Sequence, residues 1–319
     1  MMSRPLVSVC VISYNHEKYI EQCLHSIVEQ KSFGSFDIEI IISDDCSLDE
    51  TKNIIEGFDF GSAKVSILNN ERNMGMQGNF FQVINLAKGD YIAICEGDDY
   101  WVDPRKLQKQ FLAMEKRKDI NLCFTNAYHE SQNGVRNLGS RVKNEHIYSF
   151  DNVVIGGGGF CTTATLFLRR NVISNLPPWF ADAPVGDYYL QVISAYNKGA
   201  IYLPDITASY RCMSSGSWSE RRREKKEKEL FSEINKNLHA INQLSLTFGI
   251  QYRNAFEIAA AKELYLVSLQ FLLNGYPNQY RVLIERSFSI KKGISRLQVF
   301  LYFFRRAPRM AKLIFNFIK

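Results

Sequence analysis

Three apolar runs in the first hundred residues each stop abruptly at polar or acidic side chains, and this pattern constrains the fold most. Residues 6–12 (LVSVCVI) end in Ser13-Tyr14-Asn15. Residues 39–42 (EIII) run out at Asp44-Asp45, and residues 91–95 (YIAIC) at Glu96-Gly97-Asp98-Asp99. Near-continuous runs of strand-forming residues are the mark of strands buried on both faces of a parallel sheet. Helical spacing fills the intervals. Tyr19, Ile20, Cys23, Leu24, Ile27 and Val28 form one apolar stripe, and Ser47-Leu48-Asp49-Glu50 is a capping-box pattern ahead of Ile54, Ile55 and Phe58. Residues 64–68 predict a third strand, residues 78–87 a helix, and Pro104 opens another helix with Leu107, Phe111 and Met114 on one face. Strand and helix alternating four times predict an α/β fold with a mostly parallel central sheet flanked by helices.

In such sheets ligands bind beyond the carboxyl ends of the strands. Tyr14, Asp45 and Asp98-Asp99 all fall just after a strand, so they gather along one edge. Three carboxylates within four residues repel one another. They suit a hard divalent cation, and Mg2+ is usually shared between one or two carboxylates and substrate phosphates. The plain alternative is a solvated acidic turn. A dinucleotide site fits less well, because no GxGxxG follows the first strand. Hydrolysis of glycosides also fits less well: it needs two carboxyls about 5–10 Å apart across a bond, and adjacent Asp98 and Asp99 cannot straddle a sugar.

Charge and cysteine content narrow the setting. The 319 residues carry a net +6, yet residues 281–319 hold ten Lys and Arg against Glu285 alone, a net +9 that leaves the first 280 residues at −3. The basicity belongs to the tail and points to an anionic surface. Seven cysteines without a CxxC pair predict a reducing compartment with neither disulfides nor zinc. The five histidines show no zinc spacing. With no leader-like N-terminus and no apolar span free of charges, the expected location is cytoplasmic.

The series VSVCVISYNHEKYIEQCLHSI, EIIISDDCSLDET, NxGxxxN and AKGDYIAICEGDDYW resembles the nucleotide-sugar half of family 2 glycosyltransferases, inverting enzymes of the GT-A fold. The likeness runs over about the first 125 residues. It implies that Tyr14 lies against the nucleotide base, that Asp45 accepts a hydrogen bond from the base, and that Asn79 shapes the donor site. It implies that Asp98 and Asp99 form the DxD-type motif, with Asp99 the direct ligand of Mg2+ or Mn2+ and Asp98 nearer the ribose or metal. A bound cation would stabilise the charge on a departing nucleoside diphosphate, leaving one base to deprotonate the acceptor hydroxyl.

That base is expected in the second half. Asp187 opens a helix in which Leu190, Ile193 and Tyr196 should face inward, where an acid commonly complements the helix dipole. It also matches the ED-type motif whose acid is the catalytic base in the family. Residues 121–125 predict a strand, residues 126–150 an acceptor-side loop, the run Gly156-Gly157-Gly158-Gly159 a loop entering a strand, and residues 202–209 closing strands. The family often reads YRxHxxGxWS after these, with the His joining the metal. Met213 stands there instead, a soft and poor ligand for Mg2+ or Mn2+. The metal is therefore expected to rest on carboxylates, diphosphate and water.

Residues 1–219 are thus expected to form the GT-A domain, its nucleotide-sugar half within about 1–125 and its acceptor half within 126–219, and residues 220–319 a basic helical region. Helices are predicted over about 230–247, 253–273, 279–288 and 294–319. The last mixes bulky apolar and basic residues, as in a helix lying on an anionic membrane surface. The resemblance implies transfer from a nucleoside-diphosphate sugar, UDP foremost, to a lipid-linked or oligosaccharide acceptor in surface-polysaccharide assembly (O-antigen or capsule), at the inner face of the cytoplasmic membrane. No nucleic-acid module accompanies the basic tail. The alternatives are a non-catalytic module that binds nucleotide-sugar or a partner, and a sugar nucleotidyltransferase.

Overall fold

The computed structural model describes residues 4–212, 220, 222 and 225–318. Two compact units emerge, Met1–Val153 with Gly158–Glu224, and Val154–Gly157 with Lys225–Lys319.

The first unit is built on one sheet. Its strands are β1 (Leu6–Ser13), β2 (Asp37–Asp44), β3 (Lys64–Asn69), β4 (Tyr91–Glu96), β5 (Tyr100–Trp101), β6 (Leu122–Glu130), β7 (Arg136–Leu138), β8 (His146–Tyr148), β9 (Phe167–Arg169) and β10 (Ala200–Arg211). They lie in the order β3-β2-β1-β4-β9-β6-β10-β5, with β7 on β6 and β8 on β10. The first four are parallel, as their apolar runs predict, whereas β9 is antiparallel to both β4 and β6. The helices are α1 (Ile20–Val28), α2 (Thr51–Gly57), α3 (Gly75–Leu86), α4 (Lys106–Lys116), α5 (Phe150–Gly156), which begins in this unit and ends in the second, and α6 (Asp187–Ala195). Ile20, Cys23, Leu24 and Ile27 on α1 pack with Val7, Val9 and Val11 of β1 in the main core.

Several local expectations change. Ser47 does not cap α2: its hydroxyl and amide are taken by the Asp44 carboxylate, and Asp49 accepts from the amide and hydroxyl of Thr51 instead. Residues 126–150 hold the short strands β7 and β8 and the end of β6. Tyr196 lies just past the end of α6 and is exposed, because the chain turns there into the left-handed Asn197 (φ 69°). Met213 lies outside the described residues.

The second unit is helical: α7 (Glu227–Phe248), α8 (Arg253–Leu273), α9 (Pro277–Ile290), α10 (Arg296–Phe303) and α11 (Pro308–Ile318). Leu230, Ile234, Leu264, Phe271, Tyr280 and Leu283 belong to its core. The single helix expected over 294–319 is two, because Pro308 has no N–H to continue the first and suits the opening turn of the second. Among the described residues no helix is long and apolar enough to cross a membrane.

Candidate active site

Because β1 lies between β2 and β4, the chain leaves β3 on one side of β1 and returns on the other. This is the switch point at which open α/β sheets bind ligands. The loops after β1 and β2 are clamped together there. Asn15 adopts a left-handed conformation (φ 56°), its amide donates to Ser47 Oγ at 2.9 Å, and its Oδ1 accepts from the Leu48 amide at 2.8 Å. Tyr14 is carried between this turn and the end of β1.

Asp45 follows β2 and is buried; its amide donates to the Ser13 carbonyl at 2.9 Å. Its Oδ1 accepts from the Met74 amide at 2.7 Å and from Asn70 Nδ2 at 3.1 Å. Asn79, buried on α3, accepts from the same Asn70 amide group at 3.2 Å and donates to the Ser43 carbonyl at 3.1 Å. Asn79 therefore acts on Asp45 through Asn70.

The acidic motif turns tightly off β4. Gly97 donates to the Ile12 carbonyl at 2.8 Å, and the Asp99 amide donates to the Glu96 carbonyl at 2.9 Å. A Cβ at Gly97 would stand 2.8 Å from His16 Nδ1 and 2.9 Å from Ser13 Oγ, so only glycine permits this approach. Ser13 thus joins the two loops, its carbonyl facing Asp45 and its hydroxyl facing Gly97. His16 Nε2 lies 4.0 Å from Asp98 Oδ1.

Asp99 is wholly buried. Its Oδ1 accepts from the Arg211 amide at 2.9 Å, while its Oδ2 has no hydrogen-bond partner among the described residues. Burial pushes its carboxyl well above the usual range, and the nearby Asp98 and Glu96 push it further. Glu96 is raised the same way, by burial and then by Asp98 and Asp187. The side chain of Arg211 donates to the Asp98 carbonyl at 2.5 Å and to Gln22, and its guanidinium lies 4.4 Å from the Tyr100 ring and 4.9 Å from the Tyr19 ring.

Asp187 is the first residue of α6, set there by Gly186, where a Cβ would meet Phe80 of α3 at 2.5 Å. Its Oδ1 accepts from the Tyr188 amide at 2.7 Å and its Oδ2 from Thr163 Oγ1 at 3.0 Å. Burial raises its carboxyl above the ordinary value, partly offset by these two donors. Asp187 lies close enough to Glu96 for their charges to interact. The residues singled out in the sequence therefore converge on one edge of the sheet, from the ends of β1, β2 and β4 and the start of α6.

An orphaned, buried carboxylate oxygen in a field of other carboxylates is a group that needs a cation. Asp99 Oδ2 and the neighbouring Asp98 have the hard oxygen donors that would suit a divalent cation, which would neutralise phosphate charge when bound. Among the described residues no group of three or more His, Cys, Asp or Glu side chains has the arrangement of a self-sufficient metal site. Arg211, His16 and Thr163 were not visible as site residues in the sequence. The only signal was that Arg211 ends the last strand of the sheet.

A mostly parallel α/β sheet with acidic side chains gathered at its switch point is the arrangement of a GT-A glycosyltransferase fold. The family model for glycosyl transferase family 2 matches residues 8–176, and the chain belongs to that family. An uncharacterized protein of Mycobacterium tuberculosis is 30% identical over 214 residues, 66% of this chain and 60% of the relative. The chain thus covers less than two thirds of that relative's length. An Escherichia coli protein, UDP-Glc:alpha-D-GlcNAc-diphosphoundecaprenol beta-1,3-glucosyltransferase, is 28% identical over 69% of this chain and 83% of its own. Staphylococcus aureus TarS 1-349 in complex with UDP-GlcNAc superposes with a TM-score of 0.68 at 17% identity, covering 97% of this chain and 91% of that one. The mannosyltransferase PcManGT of Pyrobaculum calidifontis, in complex with GDP-Man and Mn2+, gives 0.57 at 13% identity, covering 99% and 88%. Both structures support the GT-A fold.

Proposed function

We propose that this protein is a metal-dependent, inverting glycosyltransferase that moves a sugar from a nucleoside diphosphate, UDP foremost, to a hydroxyl of a lipid-linked saccharide during surface-polysaccharide assembly. The observation that carries the reading is the buried Asp99 Oδ2, without a hydrogen-bond partner among the described residues and next to Asp98 and Glu96, with the half-buried acid Asp187 near enough to Glu96 for their charges to interact. Tyr14 packs against the base. Asp45 receives a hydrogen bond from the base, with Asn70 and the Met74 amide holding its Oδ1 in place. Asn79 keeps Asn70 oriented. Asp99 and Asp98 hold Mg2+ or Mn2+, and Asp98 also reaches toward the ribose. When bound, the cation neutralises charge on the leaving diphosphate. Arg211 fixes the motif from behind through the Asp98 carbonyl and the Asp99 carboxylate. Asp187 takes the proton of the acceptor hydroxyl; its raised affinity for protons suits a base working near neutrality.

A lipid-linked acceptor is supported by the diphosphoundecaprenol acceptor named for the Escherichia coli relative and by the basic tail. The protein would work as a peripheral protein at the inner face of the cytoplasmic membrane. A panel of nucleotide-sugars tested for Mn2+-dependent thermal stabilisation, followed by transfer to a polyprenyl-diphosphate sugar, tests the reading. One donor should raise the melting temperature and yield a nucleoside diphosphate. Stabilisation by no donor, or release of pyrophosphate from a nucleoside triphosphate, would overturn it.

A further inference from the structure

Between the acidic motif and α6 lies a buried one-turn 3-10 helix, Thr163–Thr165, whose contacts reach both. Trp101, two residues past Asp99, donates its indole N–H to the Ala164 carbonyl at 2.8 Å. Gln110 of α4 donates to the Thr165 carbonyl at 2.7 Å, its amide orientation set by the buried Lys106, which donates to Gln110 Oε1 at 2.8 Å. On the other side, Gln191 of α6 donates to the Cys161 carbonyl at 3.0 Å, and Thr163 Oγ1 donates to Asp187 Oδ2 at 3.0 Å. Every donor here is buried, so each bond is made in a setting where losing it leaves an unsatisfied polar group.

We propose that the turn Thr163–Thr165 is a strut that relays the position of the metal-binding motif to the base, with Thr163 as the positioning residue that orients Asp187 and sets its proton affinity. The inference rests on the assignment of Asp187 as the base. A carboxylate whose two oxygens are each held by one donor keeps a fixed plane, which directs its remaining lone pairs at a single spot. Thr163 supplies one of those donors, and the Tyr188 amide the other. The hydroxyl also favours the charged form of Asp187 against the burial that opposes it. The titratable groups facing Asp187 from neighbouring elements are Glu96 at the end of β4 and Cys161 ahead of the turn, and both interact with its charge. Neither donates a hydrogen bond to it among the described residues. Thr163 is therefore the one side chain among the described residues that donates to the anion directly.

Thr163→Val keeps the shape and removes the hydroxyl. It should lower kcat about tenfold, the worth of one hydrogen bond to a charged group, with the KM for donor unchanged. The acid limb of the kcat profile should move to higher pH, because the anion has lost a donor. Thr163→Ser should restore both, and Trp101→Phe, which keeps the ring and loses the N–H, should lower kcat without moving the donor KM. A valine variant with wild-type kcat and pH profile, or one that serine does not rescue, overturns the inference. Loss of fold in the valine variant would show in its melting curve, and the serine and phenylalanine variants then decide. Asp187→Asn assayed alongside separates the two levels: if it still turns over, the base assignment fails and takes the strut with it. If it is inactive while the Thr163 variants behave as wild type, only the strut fails.

Discussion

The backbone N–H of Arg211 meets Oδ1 of Asp99 at 2.9 Å, and among the described residues the other oxygen of that buried carboxylate has no hydrogen-bond partner. The bond holds the carboxylate plane, and in the proposed function the other oxygen goes to a bound cation. Without that cation the arrangement is costly, since burial, Asp98 and Glu96 all oppose the charge. A residue whose proton affinity is raised by folding contributes stability that is intact below the ordinary carboxylate pKa of about 4 and is lost as pH rises through the raised value.

Asp99→Asn should consequently be more stable than wild type in the absence of divalent cation, by a margin that widens from acid toward neutral pH. Its transfer activity should fall by about 100-fold or more, and Mn2+ should no longer raise its melting temperature with donor present. Melting curves across pH, with and without Mn2+ and UDP, check both halves. A variant that melts lower than wild type at neutral pH, or still responds to Mn2+, contradicts the assignment.

Asp187→Asn removes a proton acceptor while nearly preserving size, its single side-chain oxygen keeping one of the two bonds, from Thr163 or from the Tyr188 amide. Turnover should drop by roughly 100- to 10,000-fold, with donor-induced stabilisation retained. In the wild type, activity should be lost as pH falls through the raised pKa of Asp187, placing the acid limb above the ordinary carboxylate range. An acid limb at or below about 4 would remove Asp187 from the role.

How much of this was legible in the sequence depends on the range of each contact. The strand tips were readable because apolar runs that end in acids are local signals, and Asp44, Asp45, Asp98 and Asp99 stand where they predict. Arg211 was not, because its partner Asp99 lies 112 positions away and no periodicity couples them. Thr163 sits in a stretch of small polar residues with nothing to distinguish it from a loop. The Ser47 pattern misled for a related reason: a capping box assumes the serine is free, and here Asp44 claims it from the preceding strand end. Pro308 was visible, but its weight against a strong apolar and basic pattern was not.

Gly186→Ala tests how tightly the base is placed. A Cβ there would lie 2.5 Å from Phe80 Cδ1 and 2.8 Å from Gln77 Oε1, on the same helix that carries Asn79. Overpacking of this kind costs about 1–3 kcal/mol. The strain falls next to Asp187, so kcat should fall more than stability alone accounts for. Thermal melts and steady-state kinetics below the melting range distinguish the two; full activity in a destabilised variant would mean that the turn tolerates displacement.

The last helix, α11, carries its own test of the membrane reading. Met310, Leu313 and Phe317 recur at helical spacing on its outward side, with Leu313 73% and Phe317 93% exposed, while Ala311 is buried. Arg306 and Arg309 are exposed beside them, and Phe303 projects from the end of α10. Burying each large apolar side chain contributes about 1.5–3 kcal/mol, and each basic residue near an anionic surface about 1 kcal/mol. If these side chains entered a membrane, their contributions would add toward reversible attachment. The protein should sediment with vesicles of phosphatidylglycerol and phosphatidylcholine, less with phosphatidylcholine alone, and less at high salt. Leu313→Glu with Phe317→Glu should release it from the anionic vesicles while leaving transfer to a water-soluble acceptor analogue intact. If the doubly charged variant still sediments, or the wild type ignores lipid charge, the outward face of α11 does not hold this enzyme on a membrane.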